Sequence, residues 1–173
     1  ADIEFDVITS AAEEDFPSDM DVYEVPVYIA QKKAIAVQQK IKDEFPIHQG
    51  KWIIAADTIV WQNNKALEKP KNKLEAIKML QQLSGTKHSV FSSICIKNKY
   101  LQKVFYDETI VYFKKLSEQE LVYYVENYKP FDKAGAYGIQ EWIGLIGVTR
   151  LEGSYYNVMG LPVHKLYEEL MKL

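Results

Sequence analysis

Ile53-Ile54-Ala55-Ala56-Asp57-Thr58-Ile59-Val60-Trp61 is an almost unbroken run of β-branched and small apolar residues with one carboxylate in its middle. Such a run reads as a strand covered on both faces. An ionised Asp taken out of water costs several kcal/mol unless a cation, a metal or hydrogen-bond donors compensate it. Either the strand ends at Asp57 and opens into a loop, or Asp57 has a partner that offsets the cost.

Working outward, the spacing of Ile29, Ala30, Lys33, Val37 and Ile41 predicts a helix from about Pro26 to about Asp43. Asn63-Asn64 reads as a tight turn into Lys65-Ala66-Leu67. Asn72 with Glu75, and Ser117 with Glu120, have capping-box spacing and open two further helices. Tyr124 and Tyr128 fall on the apolar stripe of the second and read as core. His88 to Ile96 and Val104 to Phe113 alternate as a hairpin, and Ile143 to Leu151 reads as a later strand. Ile3 to Ile8 alternates as a first strand, ahead of an acidic loop punctuated by Pro17 and Ser18-Asp19. Helices and strands alternate with one hairpin, so the expected fold class is α/β with a mixed sheet.

The chain has 173 residues, 47% hydrophobic and 26% charged, which fits one domain with an ample core. Apolar runs fall short of the roughly 20 residues of a membrane helix, so no membrane partner is expected. A single cysteine, Cys95, excludes an internal disulfide and a cysteine metal cage, and points to an intracellular, cytoplasmic setting. The net charge of −3 argues against a nucleic-acid backbone as partner. Of 21 Lys and Arg residues only Arg150 is arginine. A phosphate-handling site in this chain would therefore use lysines, main-chain amides or a metal rather than bidentate arginine forks.

Three polar segments interrupt apolar elements at strand ends or helix starts: Asp57-Thr58, Lys69-Pro70, and Asp132 through Gln140. In α/β sheets such positions converge on the crevice where ligands bind. A carboxylate, two lysines and a glycine-bearing loop together suit a phosphorylated ligand with a divalent cation. Singly, each has a plainer explanation. Lys69 or Lys133 alone is a solvated lysine, and Gly135 and Gly138 lack Walker or Rossmann spacing. His48, His88 and His164 show no metal-ligand spacing.

Ala56-Asp57-Thr58, Glu68-Lys69-Pro70, and Leu83-Ser84-Gly85 with Val90-Phe91 resemble the central block of the Maf family of nucleoside triphosphate pyrophosphatases. Asp132-Lys133-Ala134-Gly135-Ala136-Tyr137-Gly138-Ile139-Gln140 is similar to that family's most distinctive run. Glu152-Gly153-Ser154-Tyr155-Tyr156-Asn157-Val158 with Gly160-Leu161-Pro162 resembles its C-terminal signature. Phe16-Pro17 after two acids and Lys33-Ala34 match its N-terminal half. The resemblance covers essentially the whole chain, residues 1–173, as a single domain.

The resemblance implies two α/β lobes around an elongated mixed sheet flanked by helices, as in inosine triphosphate pyrophosphatases, in a family whose members are often homodimers. It implies cleavage of a nucleoside triphosphate to the monophosphate and pyrophosphate, with a divalent metal such as Mg, Mn or Co. The Ala-Asp-Thr and Ala-Gly-Ala-Tyr-Gly-Ile-Gln motifs resemble the branch acting on dTTP and UTP. By the same resemblance Asp57 is the proton acceptor, Lys33, Lys69 and Lys133 are the basic residues of the site, and Thr58 and Gln140 select the base. Glu14, with Asp57, is the acidic residue expected at the metal. The family's opening strand and Ser-x-Ser-Pro-Arg-Arg loop have no counterpart here and are expected upstream of Ala1. A second reading is a non-catalytic nucleotide-binding regulator of septum formation and cell division, to which the family is also linked.

Overall fold

The computed structural model describes residues 2–17 and 19–173. The chain's opening at Ala1 and the Ser18 part of the loop reading lie outside them. The first helix, α1 (Glu24–Glu44), is followed by a short 3-10 turn and then by β1 (Ile53–Gln62). A two-residue turn at Asn63 and Asn64, both with positive φ (51° and 60°), folds β2 (Lys65–Leu67) back on β1. Helix α2 (Lys73–Leu83) then leads to the long strands β3 (Lys87–Lys97) and β4 (Gln102–Phe113). The rest comprises α3 (Glu118–Tyr128), α4 (Trp142–Gly147), β5 (Val148–Glu152), α5 (Tyr155–Val158) and α6 (Val163–Leu170).

The strands form one sheet in the order β2-β1-β3-β4-β5. Its α/β character with flanking helices is the expected one. Every neighbouring pair is antiparallel, where a mixed sheet was expected. The crossover through α2 does join two strands of like direction, but β1 lies between them. β2 and β3 are each antiparallel to β1 and never meet.

Local signals were obeyed where the chain supplies both partners. Asn72 Oδ1 accepts from the Glu75 amide, and Ser117 with Glu120 completes a reciprocal capping box. The strand expected over Ile143 to Leu151 begins only at Val148. Trp142 to Gly147 is helical, because Ile143, Gly144 and Gly147 bury one helical face. Gly144 lies so close to the Ile139 carbonyl that no Cβ fits there. The alternation at Ile3 to Ile8 joins no sheet among the described residues. Phe5 and Val7 stay exposed, and the segment is tied down through side chains: Lys51 meets Asp6, and Lys40 donates to the Thr9 carbonyl at 3.0 Å. An alternating segment becomes a strand only where a neighbour takes its amides.

Both faces of the sheet are covered. On one, Ala30, Ala34 and Ile41 of α1 pack on Ile53, Ala55 and Cys95, while Val25 and Ile29 pack on Ile59 and Phe91. On the other, Leu80 and Leu83 of α2 and Leu121, Tyr124 and Val125 of α3 pack on Val60, Val90 and Val111, with Leu166 of α6 against Ile94 and Ile96. β2 covers only Val60 to Gln62 of β1. From Ile53 to Ile59 that edge of β1 has no strand partner among the described residues, and both faces of the sheet can be reached from it.

Candidate active site

A cleft of about 950 Å³ runs along this uncovered edge. Glu14, Lys33, Asp57, Thr58, Lys69, Lys133 and Gln140 all line it, so the structure brings together every residue singled out from the sequence.

Asp57 is 8% exposed and belongs to the β1 face under α1. Ala30 and Ala34, both fully buried, let α1 lie close to the sheet and set Lys33 beside the carboxylate. Lys33 Nζ donates to Asp57 Oδ1 at 2.7 Å and lies 2.8 Å from Glu14 Oε1. Glu14 in turn meets Lys69 Nζ at 2.5 Å through Oε2. Charges thus alternate along Asp57, Lys33, Glu14 and Lys69. Glu14 sits in an irregular segment held by these pairs and by Phe16, which packs with Val25, Ile29, Ile59 and Phe91. Lys69 is anchored by the buried Pro70 after β2.

Burial pushes the Asp57 carboxyl above its ordinary value, and the Lys33 ammonium only partly opposes this. Burial also pushes Glu14 up, but Lys33 and Lys69 together outweigh it and hold that carboxyl low. For Lys33, burial works against the charge and is overcome by Asp57 and Glu14, so its pKa is raised.

The loop from Asp132 to Gln140 closes another side. Its Gly135, at φ +69°, has its Cα so near Val60 that an added Cβ would meet that side chain at 3.1 Å, and its N–H donates to the Glu68 carbonyl. The loop is thereby pinned both to β1 and to the segment before Lys69. Lys133 pairs with Asp132 at 2.8 Å and with Glu141 at 3.3 Å. Gln140 lines the cleft as an exposed side chain. On the opposite face of β1 from Asp57, Thr58 Oγ1 lies 2.7 Å from Ser92 Oγ and 3.4 Å from the Gly160 carbonyl.

The family model described as Maf-like protein matches residues 1–173. The chain belongs to the Maf family. Among relatives of this Maf-like chain, a protein of Flavobacterium johnsoniae named dTTP/UTP pyrophosphatase is 44% identical over 172 residues, covering 99% of this chain and 86% of its own length. Proteins of the same name from Bacteroides fragilis and Parabacteroides distasonis are each 47% identical. The former aligns over 161 residues, 93% of this chain and 80% of its own, and the latter over 170 residues, 98% and 85%.

Sequence reasoning missed several residues that shape the Maf-like site. Tyr124 donates its hydroxyl to Glu141 and accepts from the Gly138 N–H at 3.1 Å, so a residue read as core also steadies the Lys133 loop. Ser92 and Asn157 are fully buried behind Thr58. His88 donates to or accepts from the Tyr137 hydroxyl at 2.7 Å, which supports the same loop from below. Asn157 lies in the C-terminal motif and Glu141 follows Gln140, whereas Ser92, His88 and Tyr124 become neighbours of the site only through strand pairing and helix packing.

Two carboxylates, Glu14 and Asp57, share one ammonium at the cleft, and hard oxygen donors of this kind suit a divalent cation that also takes substrate phosphates. Among the described residues no group of three or more His, Cys, Asp or Glu side chains is arranged to hold a metal by itself. The donor set therefore fits a cation completed by phosphate and water oxygens rather than an all-protein cage.

Proposed function

We propose that this chain hydrolyses nucleoside triphosphates, dTTP and UTP above others, to the monophosphate and pyrophosphate. The observation that carries this reading is Asp57: a buried carboxylate with a raised pKa, opening on a cleft that also presents Lys33, Lys69 and Lys133. The names of the relatives at 44–47% identity support the same substrates.

Asp57 has the attributes of a general base. Burial raises its proton affinity, and Lys33 fixes one of its oxygens, leaving the other to take a proton from an attacking water. Lys69 and Lys133 can exchange their carboxylate partners for phosphate oxygens and balance the charge that grows on the leaving pyrophosphate. A divalent cation (Mg, Mn or Co) held by Glu14 and Asp57 would supply Lewis-acid charge at the phosphates. Thr58 and Gln140, whose side chains each offer a donor and an acceptor, would read the base.

The test is a panel of nucleoside triphosphates given to the full-length protein with Mg, Mn or Co, read by pyrophosphate release and by the nucleotide product. The expected result is dTMP or UMP with pyrophosphate, abolished by chelation. Thermal stabilisation by dTTP with no pyrophosphate released would replace this reading with that of a nucleotide-binding regulator. Best turnover of inosine or 7-methylguanosine triphosphate would remove Thr58 and Gln140 from base selection.

A further inference from the structure

His88 lies behind the cleft rather than in its wall, buried on β3 where pairing with Val111 of β4 fixes its backbone. Its ring packs against those of Phe113 and Tyr137, with centroids 5.5 and 5.4 Å away, and its Nε2 lies 2.7 Å from the Tyr137 hydroxyl. Burial lowers the His88 pKa to about 4 and raises that of Tyr137, so at pH 7 both groups are neutral. Either tautomer of the neutral ring makes this bond. Among the described residues His88 is the one hydrogen-bond partner of that hydroxyl. Tyr137 follows a strained turn. Gly135 and Ala136 both have left-handed backbones, φ +69° and +60°, and Ala136 is fully buried. A residue with a Cβ holds that conformation only where its surroundings enforce it. Ahead of Ala136, Gly135 is pinned on Val60 and on the Glu68 carbonyl; after it, the Tyr137 side chain is pinned on His88. The Ala136 N–H donates to the Lys133 carbonyl at 3.1 Å, so the rotation held at Ala136 also sets the backbone from which Lys133 reaches the cleft.

We propose that His88 is a positioning residue for phosphate binding: it holds Tyr137, and through the Ala136 turn it sets where Lys133 meets a phosphate group. His88 itself touches no ligand. The inference rests on the proposed role of Lys133 at the phosphates. A histidine that merely filled the core would matter to stability alone, and its loss would add to the loss of Lys133.

The test uses the full-length protein, wild type and with His88→Leu, His88→Gln, Tyr137→Phe, Lys133→Met and the double change His88→Leu with Lys133→Met. Affinity for inorganic pyrophosphate and for the α,β-imido analogue of dTTP is measured by calorimetry with Mg present. The kcat and KM for dTTP are measured alongside, at a temperature where urea titration shows each protein folded. His88→Leu and Tyr137→Phe should each weaken both ligands about tenfold and raise KM by a like factor, with kcat changed less. Gln carries an amide nitrogen to about the place of the His88 Nε2, so His88→Gln should stay within about twofold of the wild type. Lys133→Met should weaken both ligands, and adding His88→Leu should cost no more than about twofold further, since both act through one ammonium. Full additivity in the double variant, or wild-type affinity in Tyr137→Phe, overturns the proposal. Should His88→Leu fail to fold, Tyr137→Phe with and without Lys133→Met decides the matter by the same measure. Imido-analogue binding that follows this pattern without any pyrophosphate release upholds the proposal and removes the hydrolase reading. Hydrolysis of dTTP that no His88 or Tyr137 variant alters does the converse.

Discussion

Lys33 lies between two carboxylates and gives its shorter contact, 2.7 Å, to the more buried one, Asp57. The charge in the middle of an apolar strand is thus answered from the helix packed over it. Removing one partner of such a pair leaves a charge without compensation, at about 3 kcal/mol or more. Lys33→Met should therefore lower unfolding stability at pH 7 by about that amount in urea titrations. The Asp57 pKa is raised in the folded state, so the native protein takes up a proton there before the unfolded chain does as pH falls. The deficit of Lys33→Met should shrink as the pH is lowered towards 4; a loss independent of pH would mean that the lysine acts through packing of its stem alone.

Asp57→Asn separates the chemical from the structural role of the same carboxylate. The amide keeps the shape, removes a buried charge and leaves Lys33 its Glu14 partner. We expect cooperative unfolding to be retained and kcat for pyrophosphate release to fall about 10²–10⁴-fold. Unaltered turnover in Asp57→Asn would take the residue out of catalysis.

How much of this was legible beforehand follows the range of the interactions. The Asn72 and Ser117 caps join residues three apart, and the alternation of β3 needs only its own sequence. These were read correctly. The cleft residues were legible as motifs, although no spacing rule places Lys33 against Asp57, 24 residues away. The polar contacts behind Thr58 were not legible, because Ser92 and Asn157 are 65 residues apart and meet only once β3 and α5 are packed. The misread strand at Ile143 failed for a related reason. Its apolar residues suit either a strand or a helix, and the deciding fact is the close approach of Gly144 to the Ile139 carbonyl.

Tyr124 ties the Lys133 loop to α3 through two bonds, donating to Glu141 and accepting from Gly138. Tyr124→Phe should cost about 1–3 kcal/mol in stability, because the Gly138 N–H is buried and loses its acceptor. Glu141 would then be held less firmly and Lys133 with it. The expected kinetic consequence is a KM for dTTP raised about tenfold, equivalent to about 1.4 kcal/mol of binding, with a smaller change in kcat. A fall in kcat at constant KM would assign the loop to the chemical step instead.

His88 should make the fold acid-sensitive in a window that can be isolated. Burial lowers its pKa from 6.5 to about 4, and its Nδ1 is buried without a partner among the described residues. The rings of Phe113 and Tyr137 pack against it, and the Tyr137 hydroxyl serves Nε2. Because the folded pKa is below the unfolded one, the unfolded chain binds the proton first. This contribution to stability is complete above pH 6.5, declines as the pH falls below it and levels off under about pH 4. At pH 4.5 the loss is about 2–3 kcal/mol relative to pH 7. Carboxylates titrate nearby, so the comparison is with His88→Gln, which has no proton to gain. Urea titrations at pH 7 and 4.5 should show the wild type losing about 2–3 kcal/mol more than the variant between the two; equal losses would mean that folding does not lower the His88 pKa.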